Sequence, residues 1–196
     1  NPSLIFPILQ ETLACGDANV RQSGAKAIVA RPSPETLASL GPMLDDRHPG
    51  VRRYACESLL ALAGDASLRE TVLAEGRRML HADGWRGQEQ AALLLVALGD
   101  KTITDRLLAL LDASRPEVHV AAAWGLCQLA VPSTAEPIFG VLARKTESCL
   151  AGQPLQERLD EQLALLAQAI GRMRYSPADA VLRKYIPKGS PLGETS

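Results

Sequence analysis

Val20-Arg21, Val51-Arg52 and Val118-His119 each stand a few residues after a turn-like segment, and each opens an Ala-rich apolar stretch. A fourth copy comes into register at Gly87, so successive anchors lie 31, 36 and 31 residues apart. Self-similarity at such a period belongs to helical-repeat architectures, in which each unit buries its apolar face only by stacking on its neighbours. Independent columns support the register. Seven residues before the anchors stand Leu13, Leu44, Leu80 and Leu111, and eleven before stand Leu9, Leu40, Gly76 and Leu107. Four residues after stand Gly24, Ala55, Ala91 and Ala122, and eight after stand Ile28, Leu59, Leu95 and Leu126, which is the stripe of an amphipathic helix.

Each unit therefore reads as two helices. Pro49 and Pro116 fall in the first turn of a second helix, where a missing N–H costs nothing. Gly64 and Gly99 close second helices, as residues able to take a positive φ. The pattern predicts first helices over about 3–14, 34–44, 67–81, 102–112 and 133–146. Second helices follow at about 17–30, 49–63, 86–98, 116–130 and 155–173, with a surface insertion at 147–154 and a last helix at 177–186. The expected repeats are 1–31, 32–65, 66–100, 101–131 and 132–174 within a single domain of residues 1–186, followed by a disordered tail at 187–196.

Composition narrows the class. Apolar residues make up 46% but aromatics only 4%, a balance suited to helices packed through aliphatic and small side chains. With 21 basic and 22 acidic residues the net charge of −1 creates no global field for nucleic acid or an anionic membrane. The four cysteines show no CxxC spacing and read as free thiols in a reducing, cytoplasmic setting. The chain opens on Asn1, so its native start, and any address it carried, can lie upstream. The apolar first helix, with Leu4, Ile5, Phe6, Ile8 and Leu9, lacks the polar face of a capping repeat and points to further repeats or self-association at that end.

The run from Leu44-Asp45-Asp46-Arg47-His48-Pro49-Gly50-Val51-Arg52 to Ala63-Gly64-Asp65 resembles the bacterial HEAT-like repeats first described in phycobilin lyases. The likeness covers about four units and is strongest in the second and fourth. It implies an all-α fold, a right-handed α-α superhelix of about five helix pairs plus a C-terminal helix, with second helices lining a concave surface that holds a partner. The family's Val-Arg pair maps onto Val20-Arg21 and Val51-Arg52. Gly87 replaces the valine in the third unit and His119 the arginine in the fourth, which interrupts a regular polar ladder.

The resemblance admits several functions, so the residues must choose. A repeat-built metal hydroxylase needs His-Glu pairs, and none of His48, His81 and His119 is followed by Glu. All three read as histidines at helix ends or on the surface, so no metal and no cofactor is expected. A HEAT-like DNA glycosylase would need a basic, aromatic-lined concavity, for which Trp85, Trp124, Arg86 and Arg53 are thin material. A chromophore lyase-like protein binding a tetrapyrrole is the alternative that fits the resemblance better. The leading expectation is a non-catalytic scaffold that binds a protein partner, with no nucleic acid and no membrane.

The face opposite the core stripe carries the second, sixth and ninth residues after each anchor. It supplies the candidate partner-binding residues: Lys26, Arg53, Glu57, Leu60, Glu89, Leu93, Val96, Val120 and Trp124. The row passes from polar to apolar, and its apolar end resembles a binding strip with an aromatic anchor and a charged rim. The bland alternative is that the fifth repeat folds over the strip and buries it.

Overall fold

The structure is a computed structural model that describes residues 2–185, with the side chains of 2–6 and 185 outside the description. Among the described residues it is all-helical, with no strand. The helices are α1 Pro2–Ala14, α2 Ala18–Ala30, α3 Pro34–Leu40, α4 Pro49–Leu62, α5 Ala66–His81, α6 Trp85–Ala97, α7 Thr104–Leu110, α8 Pro116–Leu129, α9 Ala135–Leu150, α10 Leu159–Arg172 and α11 Asp179–Leu182. None is long and apolar enough to cross a membrane. The chain forms two compact units, one ending at Asp100 and one beginning at Lys101, and this boundary coincides with the predicted end of the third repeat.

Local chemistry sets the helix starts. Asp17 accepts from the Asn19 and Val20 N–H groups ahead of α2, and Asp65 accepts from Ser67 ahead of α5. Ser33 and Thr36 cap α3 reciprocally, with Pro34 in the first turn. His48 caps α4 through Nδ1, which accepts from the Gly50 N–H at 3.2 Å. Gly84, the residue before α6, offers no side-chain cap; Asp45, from the preceding repeat, accepts from the Gly87 N–H at 2.9 Å. A Cβ at Gly84 would collide with the Asp45 carboxylate, and one at Gly87 would meet Asp45 Cβ at 3.1 Å and Met79 Cε at 2.9 Å. Here is the physical reason for the interrupted Val-Arg pair: the third repeat replaces its valine by glycine to admit a cap from outside.

The first unit pairs α1 with α2 and α5 with α6, while α4 packs on both α2 and α6 and α3 packs on α5. The second unit pairs α7 with α8, and α10 packs on both α8 and α9. The core columns lie where the spacing predicts. Leu13, Leu44, Leu80 and Leu111 are buried, and Ile28, Leu59, Leu95 and Leu126 are almost wholly excluded from solvent. Gly76 stands where other repeats carry leucine because its partner helix fills the space: a Cβ there would come within 2.8 Å of Leu95 Cδ2. Val20 departs from the stripe and is 39% exposed, leaving Gly24, Ala25 and Ile28 as the buried face of α2.

Several boundaries differ from the expectation. The first helix of repeat two changes to a 3-10 turn over Gly41–Asp45, since Pro42 has no N–H to continue the α ladder. α9 runs on to Leu150, so the insertion is a connection over residues 151–158 and α10 begins only at Leu159. The last predicted helix is broken into 3-10 turns on either side of α11. Gly99 takes φ +73°, but Gly64 does not take a positive φ; at the end of repeat four the left-handed position is held instead by Ala130, at φ +44°. The expected tail at 187–196, and residues Leu4, Ile5 and Phe6, lie outside the described residues and side chains.

Candidate partner-binding face and the carbonyl ties

The second helices present the expected outward row unevenly. Lys26 on α2 and Arg53, Glu57 and Leu60 on α4 are exposed, Leu60 by 41%. Residues 53, 57 and 60 follow one another at helical spacing and share one face of α4. Glu89 and Leu93 on α6 are half-buried. Val96 is only 8% exposed and Val120 only 7%, while Trp124 is half-buried. The strip of Leu93, Val96, Val120 and Trp124 is therefore not the solvent-facing apolar row that the pattern suggested. In the second unit the reason is the packing of α10 on α8: the Cys127 thiol lies 3.9 Å from Gln168 Oε1, and Arg172 donates to the Cys127 carbonyl. In the first unit α6 is packed by α4, α5 and the Gly41–Asp45 turn, which leaves Val96 inside.

A second constellation was legible only in part. The residue just after each anchor reaches back to the carbonyl six positions earlier, in the turn between the two helices of its repeat. Arg21 donates to the Cys15 carbonyl at 2.9 Å, Arg52 to that of Asp46 at 2.8 Å, and Gln88 to that of Ala82 at 2.6 Å. His119 Nδ1 lies 3.2 Å from the Ala113 carbonyl. At Gln88 the polar ladder that seemed interrupted continues with an amide in place of a guanidinium, since any donor that reaches can satisfy a turn carbonyl left without a helical partner. In the fourth repeat the Ala113 carbonyl accepts from Gln156 Nε2 at 2.8 Å, with the His119 ring beside it.

Two of these sites are further elaborated. Arg21 forms a buried two-bond pair with Asp46, Nε to Oδ2 at 2.6 Å and Nη2 to Oδ1 at 2.7 Å, with both side chains at most 6% exposed. Burial alone would raise the Asp46 carboxyl; the hydrogen bonds from Arg21 and the His48 N–H, with the charge of Arg21, outweigh it and leave it below its ordinary range. His119 stands in the first turn of α8, as a helix-end histidine, but is fully buried, which corrects the surface alternative. Gln156 Nε2 lies 2.9 Å from its Nδ1, and no hydrogen-bond partner meets its Nε2. Lys145, itself 7% exposed, donates to Gln156 Oε1 at 3.1 Å and pairs with Asp112 at 3.5 Å. Gln162, fully buried, donates to the Leu111 carbonyl at 2.8 Å. Nothing in the sequence singled out Lys145, Gln156 or Gln162, because they lie outside the four well-matched repeats.

Among the described residues no group of three His, Cys, Asp or Glu side chains could hold a metal ion. All four cysteines are free. His81 is exposed at the end of α5, and the Arg86 guanidinium lies over the Trp85 ring at 4.4 Å.

No family model matches the sequence, and no curated protein matches it. Among solved structures, the chain is similar to the crystal structure of an engineered protein from a structural-genomics consortium, with a TM-score of 0.51 and 17% identity over 95% of this chain and 93% of that one. At that identity the likeness speaks for the fold alone.

Proposed function

We propose that the chain is a HEAT-like repeat protein, its helix pairs stacked as in an α-α solenoid, and that it works as a non-catalytic scaffold for a protein partner. The observation that carries the reading is the outward face of α4. There Leu60 is exposed by 41% beside the exposed charges Arg53 and Glu57, with Lys26 exposed on the adjoining α2. An accessible aliphatic centre with charges of both signs around it suits a protein surface, where apolar contact supplies affinity and the charged rim supplies register. The continuity of the core columns through the first four repeats supports the repeat assignment.

A photo-crosslinking residue placed at Glu57 in living cells tests the proposal. It should capture a protein that the same residue at Glu70, exposed on α5, does not. The captured protein, purified, should bind the chain at least about tenfold more weakly after the double substitution Arg53→Glu and Leu60→Asp. The denaturation midpoint should move little, because both positions are on the surface. Equal capture from positions 57 and 70, or unchanged binding by the double variant, would overturn the assignment of this face.

A further inference from the structure

We propose that His119 and Gln156 form a proton-operated latch in the second unit: with His119 neutral the Gln156 amide ties the 151–158 connection to the turn before α8, and protonation of His119 releases it. Gln156 is the one residue of that connection that is not exposed. Elsewhere the connection leans on its own helix ends, with Gly152 and Gln153 N–H groups donating to Cys149 and Ser148 carbonyls and Leu159 donating to Gln156. Arg158 closes it in a left-handed conformation, φ +55°. Gln156 is thus the side chain that reaches from the segment to the turn, and the Glu157 backbone beside it also approaches the His119 ring.

The hydrogen-bond network fixes the state of the latch. Lys145 can only donate, so the atom it meets at 3.1 Å is the amide oxygen of Gln156. The amide nitrogen is then left to donate, at 2.8 Å to the Ala113 carbonyl and at 2.9 Å to His119 Nδ1. A ring nitrogen that accepts carries no proton, so His119 is neutral with its proton on Nε2. Turning the amide round would set its NH2 against the Lys145 ammonium and its oxygen against the Ala113 carbonyl.

When a proton from solvent adds to Nδ1, two donors face each other across 2.9 Å. The protonated ring donates to the Ala113 carbonyl at 3.2 Å, so Gln156 loses His119 as a partner and is left to share that carbonyl with the ring. Charged groups converge on the ring from each side. Lys145 comes from α9 with Asp112 beside it, and Arg158 from the residue before α10 with its guanidinium held by Glu161. Burial, opposed in part by the Ala113 and Glu157 backbone and reinforced by the charges of Lys145 and Arg158, moves the ring below its ordinary value. The folded state therefore binds fewer protons than the unfolded chain. The contribution of the latch is fully present above about pH 6.5 and is lost as pH falls through the lowered value.

Amide exchange of the full chain, followed by mass spectrometry on the peptide covering residues 151–160 and corrected for intrinsic rates, reads the latch directly. As pH falls from about 7.5 through the lowered value of the ring, to the acid limit of the folded chain, the wild type should lose about tenfold in protection there, the effect of one net hydrogen bond. His119→Gln places at this position the residue that repeat three carries, an amide whose oxygen can accept from Gln156 and which has no titrating proton; its protection should change by less than about twofold. Gln156→Ala should be poorly protected at both ends of that range. Unchanged protection in the wild type, or a parallel fall in His119→Gln, would overturn the proposal. If His119→Gln fails to fold, the wild type decides: the His119 ring resonances and the Leu159 amide should titrate together, and a ring that titrates without moving that amide overturns the latch.

Discussion

Asp46 receives two hydrogen bonds from Arg21 and one from the His48 N–H inside the first unit, so removing the carboxylate strands a guanidinium that water cannot reach. Asp46→Ala should cost about 3–5 kcal/mol in urea denaturation. Because the folded carboxyl sits below its ordinary value, this stabilisation is present above about pH 3.9 and fades as pH falls through and below it. Acid denaturation of wild type and Asp46→Ala should accordingly converge toward the acid end. Ala130 holds a left-handed conformation that favours glycine, at the register where repeat three places Gly99. Ala130→Gly should therefore raise the denaturation midpoint, by up to about 1–2 kcal/mol of relieved strain. The thiols form a third test. Burial, with a smaller push from Glu57, raises the Cys56 thiol to about 11, and Cys127 is fully buried. Alkylation of the native protein should spare these two, while denaturation without reductant should expose all four.

At the scale of helices, Leu126 belongs to a column that is buried in every repeat, and Leu126→Ala should lose about 2–5 kcal/mol. Glu70→Ala, which removes only an exposed pair with Arg77, should stay within about 0.5 kcal/mol. Equal shifts for the two would contradict the register. Helices were most readable in the sequence where two kinds of information agree, as in α4 and α8: apolar positions spaced for one face, and a Pro in the first turn. Where one kind is missing the boundaries drift. α9 continues through Glu147 and Ser148, polar residues that a repeat-length argument assigns to a loop, and the first turn of α6 is capped at Gly87 by Asp45, 42 residues away. A distant cap leaves no local trace.

For the molecule as a whole, the far-ultraviolet circular dichroism should be that of a helical protein with no sheet contribution, and a clear β spectrum would contradict the fold. The all-helical class and the repeat columns follow from periodicity alone. The binding face does not, since an outward position becomes surface only if no later segment covers it. Periodicity cannot distinguish Leu60, which stays exposed, from Val120, which is buried in a unit where α10 packs on α8. The turn carbonyls carry a last consequence. What each repeat presents before its second helix is an acceptor, not a residue, so the joint can be built from an arginine, from an amide or, in the fourth copy, from an amide shared with an imidazole. Of the four side chains at this position, only the imidazole titrates near neutral pH. Drift among equivalent donors can thus install acid sensitivity in one joint of an array and leave its siblings indifferent to pH, without disturbing the architecture that all of them maintain.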